Sequence, residues 1–542
     1  MNAFFQEPPQ LSNTYLNDIL LQRTMLRYLG PAGLKHIEPD LSRMGDLAAG
    51  EMYSLAQRCR LEEPVHIPID PWGHPVHTIH VARSWERYAE IAAEMGLVAI
   101  PYGSGQHRRI HQMALVYLFA PSSQVYTCPL AMTDGCAQSL TLLAQNNPSA
   151  ASLAEDVLPR LIHRDPQQAW TSGQWMTERT GGSDVGLTQT TAQCIDGIWY
   201  LTGNKWFTSA VTANVALTLA RPVGNPEGGK GLALFLVQLR DKNGFLQNIH
   251  VSRLKDKLGT RHVPTAELEL DGTPAMLVAE PHNGVRNMSH MLNVTRLWNA
   301  ICSISSMRRG LDLANDYAKK RVAFGAPLCE KPLHRETLDD LEAQWEGAFH
   351  LAFFAADQLE QLNAGDLPPA HAAAVRAIMP LTKLLTGKMA VSHASEVLEC
   401  FGGAGYIEDT GLPELLRDAQ VLPIWEGTTN VLSLELLRGL TTAGGMETLV
   451  SMIKQRLAPF AHTPFASICE TWLACACAWW NTTASHPAKR EAHARRFAMH
   501  LGHSLMMACM LEHASWETDR LMRDRTLANA TRLAERGAGP QP

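Results

Sequence analysis

For a chain of 542 residues cysteine is sparse, at eleven, and no two fall into a Cys-x-x-Cys pair. Neither a zinc cage nor a disulfide framework is expected, and scattered thiols of this kind fit reduced, mostly buried side chains. Long apolar runs are missing too, so no segment is expected to span a bilayer. The most apolar short piece, residues 472–480, reads as a buried helix. The start, Met1-Asn2-Ala3-Phe4-Phe5-Gln6-Glu7-Pro8, lacks the basic residues and apolar core of a signal peptide, which predicts a cytoplasmic protein. Basic residues are not in excess either: the formal net charge is −6. That argues against a surface coated with positive charge, though not against a local basic patch. No internal repeat is visible. What remains is an ordinary globular composition, 46% hydrophobic and 18% charged, long enough for two to four domains with a large core.

The pattern of the chain changes three times. Residues 12–170 read as mainly helical, with apolar residues at helical spacing from Leu16 to Leu29 and a capped amphipathic helix from Ser84 to Leu97. The stretch Cys128-Pro129-Leu130-Ala131-Met132-Thr133 reads as a break before an Ala- and Leu-rich run. From Gly173 to about Val278 short apolar runs alternate with Gly, Asn and Asp clusters. Examples are Met176-Thr177-Glu178, Ile198 to Thr202, Lys205 to Thr208, Val215 to Leu219 and Leu232 to Val237. That is the signature of a compact β domain. Long helices are predicted next, from Met288 to Lys320, Leu333 to Leu362, Ala370 to Phe401 and Asn430 to Leu440, as in an antiparallel bundle. Thr441-Thr442-Ala443-Gly444-Gly445 reads as a hinge, a further helical segment follows, and Gly537-Ala538-Gly539-Pro540 reads as a frayed end. The fold class is α+β and mostly α. Its expected parts are an N-terminal helical domain (1–172), a central β domain (173–283), a helix bundle (284–442) and an extra C-terminal helical domain (443–542).

Five stretches carry chemistry. Trp175-Met176-Thr177-Glu178-Arg179-Thr180-Gly181-Gly182-Ser183-Asp184 offers glycines and hydroxyls that let backbone amides approach an oxygen, or is simply a turn. In Lys205-Trp206-Phe207-Thr208-Ser209 an indole could cover a planar ring while Thr208 donates a hydrogen bond, or the Trp belongs to the core. Arg321-Val322-Ala323-Phe324-Gly325 pairs a guanidinium suited to pyrophosphate with a ring suited to adenine, or completes a helix C-terminus. Phe401-Gly402-Gly403-Ala404-Gly405-Tyr406 leaves backbone open to a ligand, or caps a helix. Last, Pro423-Ile424-Trp425-Glu426-Gly427-Thr428-Thr429-Asn430 places one carboxylate at a helix junction, with Thr428, Thr429 and Asn430 available as caps. In an apolar cavity such a carboxylate becomes a better base; otherwise it is a solvated Glu at a helix start. No Gly-x-Gly-x-x-Gly follows a strand and opens a helix, so a flavin would be bound by another route than a Rossmann turn.

Taken together and in order, these motifs resemble the acyl-CoA dehydrogenase family over roughly residues 120–440. The family's Met-Thr-Glu-x-x-x-Gly-Ser-Asp motif is matched from Met176 to Asp184 and its Trp-x-Thr strand by Trp206-Phe207-Thr208. Lys257-Leu258-Gly259-Thr260-Arg261, Arg321 to Gly325, Gly402 to Tyr406 and Glu426 to Thr428 match the remaining motifs. The resemblance implies FAD, with Met176, Thr177, Trp206 and Thr208 at the flavin ring and Ser183 near the ring or the thioester. It also implies Arg321, Phe324, Gly402 and Gly403 at the pyrophosphate and adenine across a subunit boundary, with Thr428 and Asn430 at the cofactor, and hence a homo-oligomer, dimer or tetramer. Glu426 would be the base that takes the α-proton of an acyl-CoA while the β-hydride passes to flavin N5. Some members carry the base on the long bundle helix, but Asn293-Val294-Thr295-Arg296 holds no carboxylate, so Arg296 would support the site.

Several features resemble the AidB-like branch of that family, flavoproteins of the DNA-alkylation response with weak dehydrogenase activity. They are the segment from Phe5 to Asp18, Cys128 to Thr133, Arg253 to Gly259, Ile424 to Gly427, Glu399, Pro332 and the extra C-terminal segment. The alternative function is therefore a flavoprotein that binds double-stranded DNA with little or no turnover. Residues 446–542 carry a net charge of +3 against −9 for the rest, which permits phosphate contacts but is modest for a nucleic-acid binder. Arg490, Arg495 and Arg496, or Arg520, Arg523 and Arg525, would form the patch; solvated helix faces are the plain alternative. His493, His500 and His503 could share a helix face, but no carboxylate or Cys completes a set and no metal is expected.

Overall fold

The structure is a computed structural model that describes residues 6–365, 367–442 and 444–539. The first five residues of the expected cytoplasmic start, Ala443 of the expected hinge and Pro540 of the expected frayed end lie outside the described residues. Helical, β and helical parts follow one another in that order. The chain forms two compact units. One contains the chain up to Gly50, Arg109–Pro121 and everything from Asn299 on; the other contains Glu51–Arg108 and Ser122–Trp298.

The second unit is built around a seven-stranded sheet. Strand Val215–Pro222 pairs in parallel with Ser172–Trp175 and with Thr191–Ile195. Thr191–Ile195 continues antiparallel to Ile198–Ser209, then to Thr265–Leu277, then to Ala233–Gln238. Ala233–Gln238 pairs back onto Val215–Pro222, which closes a ring of strands and leaves few open edges. Its interior is apolar, with Trp175, Leu201, Phe235, Val237 and Leu268 all buried. The sequence reading needs two corrections here. Met176-Thr177-Glu178 is not a strand but the exit from one that ends at Trp175. The runs on either side of Gly203-Asn204 are one twelve-residue strand, Ile198–Ser209. Gly203, at φ 154°, passes through the strand without a turn, and a Cβ there would meet Thr190.

Two further corrections concern the stretch read as mainly helical. Val65–Ile69 and Pro75–His80 form an antiparallel hairpin across Asp70-Pro71-Trp72-Gly73. Alternation and a Pro/Gly turn were both present in the sequence. The 128–133 stretch is the first turn and a half of helix Thr127–Ala144, since a proline in the first turn loses no intrahelical bond. Helix Arg83–Glu94 lies where a capped helix was expected, but its N-cap, Ala82, supplies no side-chain bond.

The first unit is helical. Asp18 caps Ile19–Ala49, which kinks at Gly30 (φ 67°) ahead of Pro31. The bundle helices Gly284–Lys320 (in this unit from Asn299 on), Pro332–Ala364, Pro369–Cys400 and Thr429–Leu440 match the expected spans to within a few residues. Gly365 in the left-handed conformation ends the second of them. Helices Pro464–Thr482, Pro487–Trp516 and Arg520–Arg536 belong to the same unit. Glu346, buried on Pro332–Ala364, accepts bonds from Thr526 (2.5 Å) and Asn529 (2.6 Å) of the last helix. Gly347 lets that helix approach, because a Cβ would lie 2.9 Å from Leu533. The 472–480 run is buried on one face only, through Trp472, Leu473, Ala476 and Trp479. Of the expected frayed end, Ala538 is buried. Among the described residues no helix is long and apolar enough to cross a membrane.

Candidate functional site

In the sheet-containing unit, the backbone N–H of Trp206 donates to Thr177 O at 2.9 Å. That bond brings Met176 and Thr177, both half-buried, beside the strand carrying Trp206 and Thr208. Ser183 is exposed on the turn that follows. Gly182 packs so closely on Thr177 that a Cβ would come within 2.5 Å of its hydroxyl. The hydroxyl of Thr208 is buried and donates to Ala266 O at 2.6 Å, so its one hydrogen is already committed. Arg296 is buried on Gly284–Lys320.

Three features of this region were not singled out from the sequence. Glu178 and Lys205 form a buried ion pair at 2.8 Å, with side chains 4% and 0% exposed. Glu178 also accepts from Gln189 N (2.7 Å), Thr190 N (3.3 Å) and Thr190 Oγ1 (2.6 Å), while Lys205 donates to Leu219 O (2.8 Å). Burial alone would raise the Glu178 pKa; the Lys205 ammonium and the Thr190 and Gln189 donors outweigh it and hold the carboxyl below the usual range. Burial in turn pulls the Lys205 ammonium down. This pair locks the Met-Thr-Glu turn to the Trp206 strand. A lysine and a glutamate inside otherwise apolar strand runs were the signal for it. Second, the Lys255 ammonium stands 3.5 Å from the Trp206 ring centroid and bonds Glu267 at 2.6 Å, so one face of the indole carries a cation. Third, Gln174 Oε1 is buried without a hydrogen-bond partner among the described residues.

In the helical unit, Arg321 follows Gly284–Lys320 and leads into a two-stranded hairpin, Val322–Ala323 with Ala326–Pro327. Its two-residue turn is Phe324-Gly325, with φ of 49° and 79°. The primed hairpin turn demands positive φ at both places, which suits Gly325 and strains Phe324. Phe324 is nevertheless 95% exposed. Gly402 (φ 57°) and Gly403 are exposed, and a Cβ on either would meet nothing within 4 Å. Gly405 is different: a Cβ would collide with Leu398 O at 2.1 Å, so that glycine closes the helix end.

Glu426 is half-buried on the bend between Leu422 and helix Thr429–Leu440. Its φ is 56° and that of Gly427 is 104°, two left-handed residues in succession. Thr428 caps the following helix by accepting from Val431 N, while Asn430 is exposed. Two buried side chains hold the bend from outside it. Asn299, on Gly284–Lys320, donates to Leu422 O at 3.2 Å, and Lys383, on Pro369–Cys400, donates to Gly427 O at 2.7 Å. The neighbouring Trp425 Nε1–H is buried and has no hydrogen-bond partner among the described residues.

Family models match three consecutive parts of the chain. They are the adaptive response protein AidB N-terminal domain over 6–165, the acyl-CoA dehydrogenase middle domain over 173–273 and the acyl-CoA dehydrogenase C-terminal domain over 282–441. Acyl-CoA dehydrogenase family member 11 of Caenorhabditis elegans is 48% identical over 445 residues, 80% of this chain and 72% of that protein. The chain belongs to the acyl-CoA dehydrogenase family. It resembles the putative acyl-CoA dehydrogenase AidB of Escherichia coli at 28% identity, over 83% of this chain and 82% of that one. The crystal structure of C. elegans ACDH-11 in complex with C11-CoA superposes with a TM-score of 0.92 at 39% identity, covering 100% of this chain and 94% of the other. Acyl-CoA dehydrogenases are FAD-dependent.

Within each unit the residues present fit a part of that cofactor. In the helical unit the open backbone at Gly402 and Gly403 leaves room for an oxyanion, and in the sheet-containing unit the buried Gln174 Oε1 is an acceptor with no partner among the described residues. In the C-terminal segment Arg495 and Arg496 are exposed, whereas Arg490 lies 3.8 Å over the Trp480 ring. Arg520 and Arg523 pair with Asp524, and Arg525 Nε is buried.

Proposed function

We propose that the protein is an FAD-dependent dehydrogenase of acyl-CoA thioesters in which Glu426 removes the α-proton as the β-hydrogen leaves as hydride. The observation that carries this reading is the Glu426 bend. A non-glycine residue kept in a left-handed conformation by donors from two long helices is the kind of strain that surrounding structure maintains at functional sites. When bound, FAD supplies the hydride acceptor. The chain supplies position. Met176, Thr177, Ser183, Trp206 and Thr208 hold the ring, with Arg296 in support. Arg321, Phe324, Gly402 and Gly403 take the pyrophosphate and adenine, with Thr428 and Asn430 at the cofactor. An exposed Phe324 on a strained turn suits contact with a second copy, hence a homo-oligomer, dimer or tetramer. The α-proton of a thioester is too weakly acidic for a free carboxylate, so its removal needs a polarised carbonyl oxygen and a dry pocket.

The test is anaerobic titration of the flavin with acyl-CoAs of graded length, beginning with C11-CoA because a relative is seen with it. At least one acyl-CoA is expected to bleach the oxidised flavin, and Glu426→Gln to abolish the bleaching. If no chain length bleaches it, the dehydrogenase reading fails. The AidB-type match and the exposed Arg495 and Arg496 then favour the second reading, a flavoprotein that binds double-stranded DNA with little turnover. Arg490 contributes less to that reading, being stacked on Trp480.

A further inference from the structure

Helix Pro369–Cys400 is apolar and buried through almost all of its middle, from Ala372 to Met389, yet it carries Lys383 with no exposed surface. An ammonium in such a place is expensive to bury, and an aliphatic side chain would pack there at lower cost. The Lys383 Nζ lies 2.7 Å from the carbonyl oxygen of Gly427, the residue after Glu426. A hydrogen bond to that oxygen fixes the orientation of the Gly427–Thr428 peptide, immediately beyond the two left-handed residues. At the other end of the bend Asn299 holds Leu422 O. Gly387, one turn along from Lys383 on the same helix, sits so close that a Cβ would be 3.0 Å from that same oxygen. The segment between Leu422 and Thr428 is thus gripped at both ends by two bundle helices, and the carboxylate-bearing residue lies between the grips.

We infer that Lys383 is a positioning residue for the base, holding the Glu426–Gly427 bend in the conformation from which Glu426 reaches the α-proton. The inference rests on the reading of Glu426 as the base. Lys383 touches neither reactant in this scheme and takes no proton; it acts through the peptide that follows Glu426. Its removal should therefore slow proton abstraction while leaving thioester affinity unchanged, because a small displacement of a reacting group is felt in the chemical step rather than in binding.

The experiment uses the FAD-loaded protein and its Lys383→Met variant, with C11-CoA as the probe. Three quantities are read. They are the anaerobic rate of flavin bleaching, the affinity for a non-oxidisable thioether analogue of C11-CoA, and deuterium uptake at the α-carbon of C11-CoA in D2O with the flavin reduced beforehand. The last isolates the base, since hydride has nowhere to go. In Lys383→Met, bleaching and deuterium uptake should fall together, by about a hundredfold, at unchanged analogue affinity and FAD content. Wild-type uptake in a folded Lys383→Met protein overturns the inference, as does slower bleaching with normal uptake. Should that variant not fold, Asn299→Ala removes the other grip. It should show the same split to a smaller degree, and wild-type uptake there is equally fatal. Glu426→Gln separates the two claims. If it exchanges deuterium like the wild type, Glu426 is not the base and the proposed function falls first. If it is silent while Lys383→Met behaves as wild type, only the role of Lys383 is lost.

Discussion

Replacing Lys205 by methionine should destabilise the sheet-containing unit far more than its single charge suggests. In the wild type the ammonium has two acceptors at 2.8 Å, the Glu178 carboxylate and Leu219 O, and neither charged side chain is more than 4% exposed. Methionine fills much of the same volume but leaves a buried carboxylate with three neutral donors and a buried carbonyl with none from the side chain. Breaking a buried pair from one side costs about 3–5 kcal/mol. The double variant Glu178→Gln with Lys205→Met removes both charges and should recover to within about 1–2 kcal/mol of the wild type. The pH dependence has a definite sign. Glu178 is held below the usual carboxylate range, so its stabilisation is complete above the unfolded pKa and is lost as pH falls through the folded value. Lys205→Met removes the charge that holds the Glu178 carboxyl down, so its deficit against the wild type should be largest near neutral pH and shrink in acid as Glu178 becomes protonated in both proteins. The assay is urea unfolding followed by tryptophan fluorescence, with FAD at one fixed concentration for every variant because ligand binding shifts the transition. A loss below about 1 kcal/mol in the single variant would show that the pair does not act as a unit. A double variant as unstable as the single would refute the charge-based reasoning and leave packing as the cause.

Phe324→Gly should leave the isolated chain as stable or more so, since it relieves a left-handed residue worth about 1–2 kcal/mol and removes almost no buried surface. The same variant should lose FAD on dilution and shift to a smaller assembly in size-exclusion chromatography; unchanged FAD retention would remove Phe324 from the cofactor site. His393 is a buried imidazole whose pKa burial pulls down to about 3. Its neutral form contributes fully above the unfolded value near 6.5, and that contribution is lost as pH falls from there, about 2 kcal/mol by pH 5. His393→Phe should flatten the fall in stability between pH 7 and pH 5 by that amount, and an identical slope in the two proteins would contradict it.

Helix positions were legible because their signals are local. The bundle spans were predicted to within a few residues by apolar periodicity, and Thr428 was readable as a cap from its place before a Leu-rich run. The 65–80 hairpin was legible and overlooked, its alternation being masked by histidines and a proline among helical neighbours. The long Ile198–Ser209 strand was harder, since Gly203-Asn204 normally marks a turn and only pairing with Thr265–Leu277 keeps the backbone extended there.

The order of motifs along the chain was enough to determine the family, its cofactor and a single carboxylate as the candidate base. Motif order is a property of the sequence and survives without coordinates. How those residues are held was decided by contacts between positions far apart in the chain. Glu178 meets Lys205 across 27 residues, Lys383 reaches Gly427 across 44 and Asn299 reaches Leu422 across 123. A buried charge has no local pattern that names its partner; its burial cost is met only by a group the fold brings to it. Tertiary structure therefore turned a glutamate next to a glycine into a clamped, left-handed bend, and a buried lysine in an apolar helix into a group that holds it.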